Sequence, residues 1–88
     1  MQIEHLAVSQ INPAEYNPRQ ISTDEFEKLK LGIAEFGLVE PLVINADGTL
    51  IGGHQRFKAM TEMGWTAFPC VRVDVDKLRE KALNLALN

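Results

Sequence analysis

At 88 residues, 45% of them hydrophobic, the chain is long enough for one hydrophobic core and too short for two, so residues 1–88 read as a single domain. Its formal net charge is −3, with Lys and Arg dispersed from Arg19 to Lys81, which excludes the clustered basic footprint of a domain that grips duplex DNA unaided. No signal peptide opens the chain, no apolar run approaches the roughly 20 residues that span a bilayer, and the single Cys70 excludes an intrachain disulfide, a combination that fits a soluble, cytoplasmic protein. His5 and His54 lie far apart without Cys or His partners at ligand spacing, so no metal site is expected.

Residues 3–8 read as a short strand with Ile3, Leu6 and Val8 as its apolar members. Residues 9–20 carry Asn12-Pro13 and Asn17-Pro18, a turn-rich composition in which each proline fixes its own φ and disfavours helix before it. Arg19 follows the second pair directly, where a rigid backbone could aim a guanidinium. Ser22 and Glu25 have capping-box spacing, and Phe26, Leu29, Ile33 and Phe36 form the apolar stripe of a helix that Gly37 ends in a left-handed cap. Leu42-Val43-Ile44 and Thr49-Leu50-Ile51 flank the turn signal Asn45-Ala46-Asp47-Gly48, so residues 41–51 read as a β-hairpin.

The hairpin delivers the chain to Gly52-Gly53, after which Phe57, Met60, Thr61 and Met63 recur at helical spacing. Strand, glycine turn and helix form a corner at which the first N–H groups of the helix and its dipole favour an anion. Glycines permit close approach to the backbone, and Arg56 in the first turn supplies a fork of donors matched to phosphate. The spacing is neither a Walker loop nor a full dinucleotide fingerprint, and a Gly-Gly pair is often only a tight turn. Gly64 stops this helix. Residues 67–73 read as a further strand, with Cys70 a small core residue and Pro69 marking an edge or irregular position. Asp74 or Asp76 caps a final helix from Lys77, in which Leu78, Ala82 and Leu85 form the stripe expected to face the sheet. Leu83 and Leu87 form a second stripe, expected to contact another chain or domain.

Asn17-Pro18-Arg19 before a helix, Gly37-Leu38-Val39-Glu40-Pro41-Leu42 after it, and Gly52-Gly53-His54-Gln55-Arg56-Phe57-Lys58-Ala59 beyond a hairpin stand in an order that resembles the N-terminal domain of ParB-like proteins. The resemblance implies an α+β, ParB/sulfiredoxin-like fold: a small mixed β-sheet with three packed helices. It implies a nucleotide-binding module, with CTP or another nucleotide and Mg2+ as ligand, in a protein of chromosome or plasmid partition, transcription regulation or mobile-element DNA modification. Gly37 to Pro41 match the first nucleotide motif, with Glu40 where the family usually has glutamine. Gly53 and Arg56 match the second, while His54 and Gln55 replace its middle pair. A third motif would begin at Asn88, with Leu87 in place of its glutamate. The implied nucleotide and phosphate set is therefore Arg19, Gly37, Pro41, Gly52, Gly53, His54, Gln55, Arg56 and Asn88. A DNA-reading or catalytic part would lie beyond Asn88, so the chain looks like a fragment or minimal relative of something longer, with DNA contacted by the full-length protein and self-association through the C-terminal helix.

Three other readings share this fold. A sulfiredoxin-type reductase needs a Gly-Gly-Cys-His-Arg loop, and here His54 stands at the cysteine position, which argues against it. A ParB-like nuclease, or a nucleoside triphosphatase, needs a base or metal carboxylate at the phosphate, for which His54 and Glu40 are the candidates. The third is a protein-interaction module whose nucleotide loop has degenerated.

Overall fold

The computed structural model describes residues 2–13, 20–37 and 40–87. Among them a five-stranded mixed sheet runs in the order β1-β5-β3-β4-β2, built from β1 (Ile3–Leu6), β2 (Asn12–Pro13), β3 (Leu42–Asn45), β4 (Thr49–Gly52) and β5 (Phe68–Val73). Three helices accompany it: α1 (Thr23–Phe36), α2 (His54–Glu62) and α3 (Lys77–Leu87). The α+β class with a mixed sheet and three packed helices is as expected.

Strand alternation divides the helices between the two faces of the sheet. Leu42, Ile44, Leu50, Phe68 and Cys70 point to one side and join Ile33 of α1 and Ala59 and Met60 of α2 in the buried core. Phe57 supports it from α2, its ring centroid 5.1 Å from that of Phe68. The opposite face carries Asn45 and Ile51, also buried, and α3 is the helix that packs on β4. β4 is consequently buried at all four positions.

Helix α1 begins as its sequence dictates: the Glu25 N–H donates to Ser22 Oγ at 3.1 Å, and Glu25 Oε1 reaches back to the Ser22 N–H. Phe26, Leu29 and Ile33 pack inward, whereas Phe36, read as a member of that stripe, is the last residue of the helix and is 73% exposed. Gly37 takes the positive φ expected, 75°, but its ψ of −168° sends the chain off extended rather than closing a left-handed cap. The hairpin forms around Gly48, whose φ is 90° and whose N–H donates to the Asn45 carbonyl at 2.9 Å.

Two expectations are corrected. The first strand stops at Leu6, and Val8 belongs to a 3-10 turn closed by the Gln10 side chain on the Ala7 N–H at 2.8 Å. The proline-rich segment contains a strand, β2, in which Asn12 and Pro13 pair in parallel with Thr49 and Leu50; two residues with a proline carry too little pattern to announce it. β5 lies inside the sheet, between β1 and β3, and its start at Pro69 is the irregular position expected, since the ladder to β3 begins only at Cys70.

The largest correction concerns α3. Leu78 and Leu85 are each 80% exposed and Ala82 is exposed too, while Glu80 and Asn84 face the sheet and are buried. Leu87 lies against Gly52. Two polar residues occupy the seam because each finds partners there. Asn84 Nδ2 donates to the Ile51 carbonyl at 2.9 Å, and Glu80 Oε1 accepts from Asn45 Nδ2 at 2.8 Å and Lys77 Nζ at 3.1 Å. Asp76, one of the two proposed caps, accepts from the Arg79 N–H at 2.8 Å.

Candidate functional site

The glycine corner forms where the sequence places it. β4 ends at Gly52, Gly53 adopts the left-handed conformation with φ 93° and ψ 28°, and α2 starts at His54 with the Phe57 N–H on the Gly53 carbonyl at 2.8 Å. Only glycine fits at Gly53, since an added Cβ would lie 2.7 Å from Leu42 Cδ2 and 2.8 Å from Arg56 Nη2 in a backbone region that L side chains avoid. Gly52 is small for a different reason: an added Cβ would meet Leu87 Cδ1 at 2.8 Å, so its open side is filled by α3.

Arg56 turns back from α2 across the Gly53 backbone to the segment that follows α1. Its Nη2 lies 3.4 Å from the Pro41 carbonyl and its Nη1 3.7 Å from Glu40 Oε2, while its Nε is buried with no hydrogen-bond partner. Two sequence motifs 15 residues apart are thereby brought into contact through one guanidinium. Gly37, Glu40 and Arg56 share a cavity of about 420 Å³ whose remaining wall is α1.

 A second cavity, of about 550 Å³, lies between the starts of α1 and α2.

Of the predicted site residues, Gly37 and Arg56 line the smaller cavity, and Pro41, Gly52 and Gly53 line neither. His54, which is buried, and Gln55 line the larger one with Ser22, Thr23 and Phe26 of the α1 start, and Lys58 stands at its rim with Nζ 5.2 Å from the Phe26 ring centroid. His54 and Glu40, the pair nominated for hydrolysis, therefore line different cavities. Arg19 and Asn88 lie outside the described residues. Among the described residues, no group of three or more His, Cys, Asp or Glu could hold a metal ion, and no helix is long and apolar enough to cross a membrane.

Sequence reasoning missed Gly32 and Lys28, which line the smaller cavity from α1. The available signal was a glycine in mid-helix on the side of Leu29 and Ile33, a position that costs about 1 kcal/mol relative to alanine and recesses the helix surface. An added Cβ at Gly32 would meet nothing within 4 Å, so the recess opens onto the cavity rather than onto packed side chains. Cys70 takes no part: it is fully buried on β5, and burial pushes its thiol up to about 11.

Residues 1–88 match the family described as the ParB N-terminal domain. The nucleoid occlusion protein of Bacillus cereus (strain AH187) is 32% identical over 75 residues, which are 80% of this chain and 26% of that protein. The chain thus spans about a quarter of the length of the curated relatives it matches. Among solved structures, the chromosome-partitioning protein ParB of Caulobacter crescentus complexed with CTP-gamma-S superimposes with a TM-score of 0.83 at 17% identity, over 97% of this chain and 51% of that one. Sulfiredoxin from Arabidopsis thaliana superimposes with a TM-score of 0.77 at 20% identity, over 94% of this chain and 97% of that one. At these identities the structures show the shared fold.

Proposed function

Because the chain belongs to the ParB N-terminal domain family, we propose that it is the nucleotide-binding module, of CTP type, of a longer DNA-associated protein acting in partition, transcription regulation or mobile-element DNA modification. The observation that carries this is the α2 N-terminus, where Gly53 is left-handed and Arg56 crosses to Glu40 and Pro41 beside a cavity of about 420 Å³. The helix dipole favours anionic groups at that end, and a guanidinium can grip a phosphate through two parallel hydrogen bonds. The CTP-gamma-S held by the Caulobacter relative supports the same ligand class.

Mg2+ would arrive with the triphosphate and be held mainly by it. A sulfiredoxin-type reaction lacks its thiol, because His54 stands in the loop and Cys70 is buried on β5. Duplex DNA is assigned to the longer protein, since a chain of net charge −3 releases few counterions. Self-association is assigned to the C-terminal helix α3, as expected of its Leu83 and Leu87 stripe, and the name of the nucleoid occlusion relatives supports a cytoplasmic location.

Calorimetric titration with CTP and the other nucleoside triphosphates, with and without Mg2+, tests the assignment. Wild-type chain should bind CTP in preference, and Arg56→Ala should lose about 1.5 to 3 kcal/mol of binding, the range for a charge-assisted hydrogen bond. Arg56→Lys should lose less than Arg56→Ala, because it keeps the charge without the fork. Absence of binding by the wild type would leave the interaction module as the better description, and binding indifferent to Arg56→Ala would move the ligand elsewhere.

A further inference from the structure

We propose that Glu40 regulates this corner as an internal competitor: its carboxylate engages Arg56 in the free protein and has to leave before a polyphosphate takes the guanidinium. The inference rests on the phosphate assignment above and concerns its control. Three observations carry it. Glu40 Oε2 stands 3.7 Å from Arg56 Nη1, and Glu40 is the one carboxylate among the described residues lining the smaller cavity. The Arg56 side chain is only 27% exposed, whereas that of Glu40 is 76% exposed, so the carboxylate is the partner free to swing away. The other contacts of Arg56 are weak, a 3.4 Å approach to the Pro41 carbonyl and a buried Nε with no hydrogen-bond partner.

A guanidinium held at such distances is parked rather than locked, since charge-assisted hydrogen bonds close to about 2.7–2.9 Å when they form fully. An arriving phosphate offers those shorter bonds. It must first release Glu40, and it then meets a negative charge that the flexible carboxylate keeps nearby. Both effects lower affinity for a polyanion, and an amide at position 40 removes both while preserving size and hydrogen-bonding capacity.

The test compares the wild-type chain with Glu40→Gln, Arg56→Ala, the double variant and Asp74→Asn by calorimetry, using tripolyphosphate and CTP as separate probes. Asp74 follows β5 at the end of the sheet away from Gly53, as the β3–β5 and β3–β4 registers place it, so Asp74→Asn controls for net charge alone. Glu40→Gln should bind tripolyphosphate about three- to tenfold tighter, from loss of the exposed pair and of the like charge. Asp74→Asn should stay within about twofold of wild type, because screening removes a distant charge. The gain should vanish when Arg56→Ala is added. The proposal is overturned if Glu40→Gln binds tripolyphosphate no tighter than wild type, which includes the case where neither binds. It is also overturned if the gain survives without Arg56 or is matched by Asp74→Asn. Should the gain appear while CTP binds no better than tripolyphosphate, the control by Glu40 stands and the nucleotide assignment fails.

Discussion

At residue scale, the corner depends on what is absent from Gly53. The residue holds φ at 93° against Leu42 and Arg56, so Gly53→Ala forces a strained backbone and a Cβ 2.7 Å from Leu42 Cδ2 at once. A loss of about 1–3 kcal/mol of stability is expected, read as a lower urea midpoint at unchanged slope. Gly52→Ala should lose less, because what it meets is the side chain of Leu87 near the end of α3 rather than an unfavourable φ. Equal losses at the two positions would show that side-chain crowding, and not the left-handed backbone, is what the glycine pair answers.

At the scale of the element, α3 is held by polar bonds and not by Leu78 or Leu85. Asn45 is the hub: Nδ2 donates to Glu80 Oε1 at 2.8 Å and to the Val75 carbonyl at 3.0 Å, while Oδ1 accepts from the Val75 N–H at 3.1 Å and the Ala46 N–H at 2.8 Å. Removing a donor from a carboxylate that is 1% exposed is expensive, and Asn45→Ala should cost about 2–4 kcal/mol, with α3 amides losing hydrogen-exchange protection first. Leu78→Ser and Leu85→Ser should each stay within about 0.5 kcal/mol, because both side chains already face solvent. A leucine pair that proved costlier than Asn45 would mean that α3 packs the other way round.

For the molecule as a whole, the first strand and the last helix are each tied to the rest of the fold by an ion pair that titrates in acid. Arg72 grips Glu4 through Nε at 3.0 Å and Nη2 at 3.2 Å, joining β5 to β1, and these bonds hold the Glu4 carboxyl below its ordinary 4.5. The Lys77 ammonium at 2.9 Å, helped by Thr49, holds Asp47 well below its ordinary 3.8 and links the hairpin turn to α3. Carboxyls whose folded pKa is depressed add stability above their unfolded values and lose it as pH falls through the folded ones. Stability should therefore be insensitive to these two groups near neutrality and decline below about pH 4.5, more shallowly in high salt because both pairs are exposed. Urea midpoints measured from pH 7 to pH 3 check this, and Arg72→Met should flatten part of the acid slope. An unchanged slope in that variant would remove Glu4 from the account.

Much of this protein was legible in its chain order. Ser22 with Glu25, Asn45 to Gly48, and Gly52-Gly53 before a helical period each act within a few residues, through local hydrogen bonds and backbone sterics that composition encodes directly. The strand, turn and helix around Arg56 follow from the same local rules. What Arg56 touches does not. Its contacts with Pro41 and Glu40 exist because β3 and β4 pair antiparallel, which returns the start of the hairpin to the start of α2. The face of α3 was decided in the same way, since Glu80 and Asn84 read as solvent residues until Asn45 and the Ile51 carbonyl are there to receive them. Local rules choose the elements, whereas a buried polar group is stable only through partners distant in sequence, and those the tertiary structure alone supplies.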